Sequence, residues 1–131
     1  MRMRRTTRTS RPMLVCQLCV LVACAGDAPC VVYPCPQFEA ITVSVVSGTG
    51  AANLPGLAVA VSGAVQGGGP CDPLGRVCHV LGGAGRYQLS ISATGYVPAT
   101  ASLTITGEDA GCNTCGHVDR QKITVTLQPQ P

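Results

Sequence analysis

Gly85-Arg86-Tyr87-Gln88-Leu89-Ser90-Ile91-Ser92-Ala93-Thr94-Gly95-Tyr96 is the stretch that decides the fold. Tyr87, Leu89, Ile91 and Ala93 alternate with Arg86, Gln88, Ser90 and Ser92. A period of two turns one face of a strand to a core and the other to water. A helix would instead repeat its apolar residues at three-four spacing. Gly95 then supplies the positive φ that a turning strand needs.

The same alternation continues on both sides. Upstream, Ile41, Val43 and Val45 alternate with Thr42 and Ser44, and Leu57, Val59 and Val61 with Ala58, Ala60 and Ser62. Downstream, Leu103 and Ile105 alternate with Ser102, Thr104 and Thr106, and Ile123, Val125 and Leu127 with Lys122, Thr124 and Thr126. Val, Ile and Thr dominate these runs, as a pleated, half-buried surface prefers. Gly48-Thr49-Gly50, Leu54-Pro55-Gly56, Gly67-Gly68-Gly69-Pro70 and Gly82-Gly83-Ala84-Gly85 read as the loops between them. Short strands with Gly/Pro turns predict an all-β sandwich.

Gly85-x-Tyr87 with Gly95-Tyr96, the Leu54-Pro55-Gly56 turn and the closing Ile123-Thr124-Val125-Thr126-Leu127 run resemble carboxypeptidase-regulatory-like domains over residues 38–129. That resemblance implies an Ig-like, transthyretin- or prealbumin-like sandwich of about seven strands. Such domains accompany a peptidase and are not its catalytic part. The transthyretin-like hydrolases of purine breakdown carry several His and Arg residues and a C-terminal Tyr-Arg-Gly-Ser-type motif. This chain ends Leu127-Gln128-Pro129-Gln130-Pro131, so a hydrolase is the weakest reading. The expectation is no enzyme and no cofactor.

Charge is uneven along the 131 residues. Five of the nine basic residues are Arg2, Arg4, Arg5, Arg8 and Arg11, and no acid precedes Asp27. The body from Cys24 onward is mildly acidic, which excludes the basic working face that a nucleic-acid binder needs. The Arg-rich head followed by the apolar run Met13 to Ala23 reads as a signal peptide, too short to span a bilayer. Leu21-Val22-Ala23-Cys24 resembles the bacterial lipobox, in which the Cys thiol is lipidated and becomes the new N-terminus. Ordinary cleavage after Ala25 and a merely apolar Cys24 are the competing readings.

The predicted organisation is a lipoprotein signal peptide over 1–23, a Pro/Cys-containing tether over 24–37 and the sandwich over 38–131. A lipid anchor at Cys24 predicts membrane attachment at a bacterial cell envelope. The outer membrane is the expected location, because no acid directly follows the Cys; secreted or periplasmic protein is the alternative. The partner expected is a glycan or an envelope protein.

Cys30, Cys35, Cys71, Cys78, Cys112 and Cys115 form an even set in an exported chain and predict a disulfide framework. Spacing favours Cys71 with Cys78. Cys112 and Cys115 either join each other or reach back to Cys30 and Cys35. The alternative is a metal or redox centre built from Cys112, Cys115, His117 and His79 with Cys71 and Cys78, since thiolate and imidazole suit tetrahedral zinc. Gly116 breaks the Cys-x-x-Cys-His pattern of c-type haem. Glu108-Asp109 reads either as calcium-binding oxygens or as a solvated loop. Tyr87 and Tyr96 read as packing residues, and Tyr33 lies in the tether.

Overall fold

The computed structural model describes residues 29–31 and 34–131. The signal-peptide segment, Cys24 and Tyr33 lie outside the described residues. One compact unit, Val31–Pro131, carries the fold.

That fold is all-β. Ten strands follow in order among the described residues: β1 (Glu39–Ser47), β2 (Ala58–Gly63), β3 (Gly67–Gly69), β4 (Cys71–Asp72), β5 (Val77–Leu81), β6 (Gly85–Ser92), β7 (Ala99–Ile105), β8 (Gly107–Glu108), β9 (His117–Val118) and β10 (Gln121–Leu127). One four-stranded sheet has the order β10-β1-β5-β4, the other β3-β2-β6-β7, and β8-β9 is a separate two-stranded ribbon. Both large sheets feed one core. Ile41, Val43, Val45, Cys78, Val80 and Leu127 come from the first, and Val59, Val61, Tyr87, Leu89, Ile91 and Ile105 from the second. Removing a Leu- or Ile-sized side chain from water is worth roughly 1.5–3 kcal/mol. A shared apolar layer therefore holds the two sheets together in a sandwich-like arrangement.

The alternation in β6 maps directly onto burial: Tyr87, Leu89 and Ile91 are buried, and Arg86 and Gln88 are exposed. In the edge strands β7 and β10 the inward-facing Leu103, Ile123 and Val125 are only partly buried, because no further described strand covers their flank. The first and last strands pair in parallel, with Ile41 opposite Gln121 and Ser47 opposite Leu127. All other described strand pairs are antiparallel.

One loop expectation gives way to a strand, and one strand forms where no alternating run was read. Gly67-Gly68-Gly69 is not a linker but the edge strand β3, with Val59 opposite Gly69 and Val61 opposite Gly67. The reason is room: a Cβ at Gly69 would collide with the backbone carbonyl oxygen of His79, and one at Gly68 would stand 2.6 Å from that of Val59. Glycine at Gly69 lets β3, the edge of one sheet, approach the interior strand β5 of the other. Val77–Leu81 forms the interior strand β5, which pairs with both β1 and β4. The expected turn at Gly95 is present, with φ of 83° and the Tyr96 N–H donating to the Ala93 carbonyl at 3.2 Å.

On the opposite flank the chain from β7 through β10 follows one antiparallel register. Gly111 bridges Thr114, Glu108 pairs with His117 and Gly107 with Val118. Beyond the strands, Val97 N–H donates to the Gln128 carbonyl at 2.8 Å, and Tyr96 bridges Pro129. The residue numbers in every one of these pairs add to the same value. Between the two ends β7 and β10 separate, each joining its own sheet.

Candidate functional site

The cysteines fix the geometry around which a site forms. Cys71 and Cys78 are directly opposed in the β4–β5 ladder and are disulfide-bonded with Cα atoms 4.1 Å apart. Cys78 is fully buried, so this bridge belongs to the core. Cys35 is bonded to Cys115, with Cα atoms 5.3 Å apart across 80 residues of sequence. Cys115 therefore reaches back and does not close the Cys112-x-x-Cys115 loop. Cys30 and Cys112 each carry a disulfide and not a thiol.

The Cys35–Cys115 bridge forms one wall of a cleft of about 310 Å³. Its other walls are Phe38 from the segment before β1, Val65 after β2, Leu81 and Gly82 at the end of β5, and Val118 from β9. Gly82 N–H donates to the Phe38 carbonyl at 2.9 Å, which extends the β1–β5 contact and holds that wall. Glu108 and Asp109, at the end of β8, also belong to the lining. The surface is thus largely apolar with two acidic residues in its lining and, among the described residues, no Lys or Arg. Both carboxylate residues are exposed. A volume of this size falls at the small end of ligand-binding clefts.

The histidines occupy separate places. His79 lies on β5, and its Nδ1 stands 2.7 Å from Glu39 Oε1. Thr42 Oγ1 donates to the same oxygen at 2.5 Å, and Arg120 donates to Glu39 Oε2 at 3.2 Å. The Thr42 hydrogen bond, followed by His79 and then Arg120, holds the Glu39 carboxyl down at about 2 against the partial opposition of desolvation. At neutral pH Glu39 is thus an ionised tie between β1, β5 and Arg120, the residue just before β10. His117 belongs to the ribbon, 3.7 Å from Glu108 Oε2 and 3.9 Å from Asp119 Oδ1.

Cys71, Cys78, Cys112 and Cys115 carry disulfides in place of thiolates, and His79 is engaged by Glu39. Among the described residues no group of three or more His, Cys, Asp or Glu side chains is arranged to hold a metal ion. Tyr87 is buried at 1% exposure and donates its hydroxyl to the Gly83 carbonyl at 2.6 Å; burial pushes its pKa up. Tyr96 packs against the core edge with its hydroxyl 2.9 Å from Ser47 Oγ and 3.3 Å from Thr49 Oγ1.

Sequence reasoning reached Cys35, Cys115, Glu108 and Asp109 singly but not the cleft, and it missed Phe38, Val65, Leu81 and Val118 altogether. The one available signal was Phe38, the single phenylalanine of the chain, three residues after a cysteine. Comparison with family models finds none that matches the chain, and comparison with curated proteins finds no match either.

Proposed function

We propose that this chain is a noncatalytic, lipid-anchored protein of a bacterial cell envelope whose sandwich serves as an interaction module. The observation that carries the reading is the cleft beside Cys35–Cys115, a largely apolar surface held by a covalent clamp and lacking, among the described residues, a paired nucleophile and base in its lining. Oxidised cysteines agree with export, since disulfides persist in oxidising compartments. No helix among the described residues is long and apolar enough to cross a membrane, and Leu21-Val22-Ala23-Cys24 supplies the lipobox-like alternative for attachment.

The finer assignment, a carboxypeptidase-regulatory-like domain of prealbumin type, rests on the Gly85-x-Tyr87 and Gly95-Tyr96 motif at the two ends of the β6 hairpin. The module's ligand on this reading is an envelope protein or glycan. Replacing Cys24 by Ser tests the anchor. The variant is expected in soluble or unprocessed fractions after cell breakage, whereas undiminished membrane retention contradicts anchoring.

A further inference from the structure

We infer that the cleft beside Cys35–Cys115 receives a lysine or arginine side chain of an extended peptide segment belonging to a protein partner. The inference rests on the reading of the sandwich as an interaction module and names the chemistry of that partner. Phe38, Val65, Leu81 and Val118 offer an apolar wall, and the acidic residues Glu108 and Asp109 belong to the same lining. Lysine and arginine have that same division, an aliphatic stem that gains from apolar contact and a cationic head that pairs with a carboxylate. Among the described residues no Lys or Arg lines the cleft to compete for those carboxylates. The Glu108 carboxylate stands 3.7 Å from the ribbon's own His117.

The extended backbone is assigned from the ribbon. Strands β8 and β9 pair only with each other among the described residues, so each keeps an outer edge. An unpaired edge accepts an extended chain by main-chain hydrogen bonds while a side-chain pocket gives the selectivity. Acidic residue and ribbon edge coincide at Glu108, which belongs to both β8 and the lining. The Cys35–Cys115 clamp holds the segment before β1 against the loop leading into β9, so the pocket depends on that bridge.

The test is a titration of isotope-labelled full chain, disulfides intact, with blocked hexapeptides that differ only in a central lysine or its uncharged isostere norleucine. Amide signals of Leu81, Gly82, Glu108, Asp109 and Val118 are expected to shift with the lysine peptide. Affinity is expected to fall at least about tenfold for norleucine and for the double variant Glu108→Gln, Asp109→Asn, and to weaken with salt as exposed charge pairs do. The double variant keeps the walls and the bridge, so its spectrum elsewhere reports that it folds. Equal binding of the norleucine peptide, no effect of the double variant, or shifts confined to another face overturns the inference. Cadaverine binding as tightly as the lysine peptide also overturns it, because the site would then take a free amine without a peptide. Each of these outcomes leaves membrane anchoring untouched, so the inference and the functional reading fail separately.

Discussion

The side-chain amide of Gln121 donates to the backbone carbonyl of Thr104 at 3.0 Å and so ties the edge strand of one sheet to the edge strand of the other. Just beyond it the Asp119 N–H donates to the Thr106 carbonyl at 2.8 Å, and Thr106 Oγ1 returns a bond to Asp119 Oδ2 at 2.7 Å. These bonds continue the register that pairs β8 with β9. The ribbon carrying Glu108 is consequently an extension of both sheets and not a loose loop. The cleft therefore stands on the scaffold that the core stabilises, which is where a preorganised site belongs.

The close approach of β3 to β5 makes a sharp packing prediction. Gly69→Ala would place a methyl group against the backbone of His79, an atom that cannot swing aside. Overpacking of this kind typically costs about 1–3 kcal/mol, occasionally more. Gly83→Ala meets nothing within 4 Å and is expected to stay within about 0.5 kcal/mol, as surface changes do. Urea unfolding of the two variants beside the parent measures the contrast.

Breaking the Cys71–Cys78 bridge should destabilise the fold by about 2–3 kcal/mol, the size expected for closing a short loop. Cys71→Ala under oxidising conditions should therefore lower the melting temperature. An unchanged melting temperature would show that the bridge does not constrain the unfolded chain.

Glu39 predicts a defined response to acid. Its carboxyl titrates near 2 in the folded chain against an ordinary value of 4.5. The folded state therefore holds fewer protons than the unfolded state in this interval. The stabilisation is complete above the ordinary value and is lost as pH falls towards 2. Thermal unfolding of the parent should weaken more steeply than that of Glu39→Gln between those limits, and the difference between the two proteins should shrink on acidification. Parallel curves would mean that Thr42, His79 and Arg120 do not hold the carboxylate.

Some elements were legible because side-chain period reports burial. In β6 every apolar residue from Tyr87 to Ile91 is inside, so alternation alone located the strand and its face. Strand β3 was illegible for the opposite reason: three glycines carry no side chain from which a period could be read, and their value lies in the space they leave. Strand β5 places the apolar Val77 and Leu81 on the same alternate positions as His79 and the buried Cys78 and Val80 between them, so its pattern has no clean polar face. The cleft was illegible because Cys35, Phe38, Leu81 and Glu108 meet only through tertiary pairing. Spacing identified the local Cys71–Cys78 pair, whereas the partner of Cys115 lay 80 residues away.

The intact mass of the protein isolated from its native cells addresses the lipid anchor and the oxidised framework at once. The expected protein begins at Cys24, is heavier by its acyl groups and is lighter by about six hydrogens for the bridges among six cysteines. A lipid-free chain with reduced thiols or a zinc-sized adduct would contradict it.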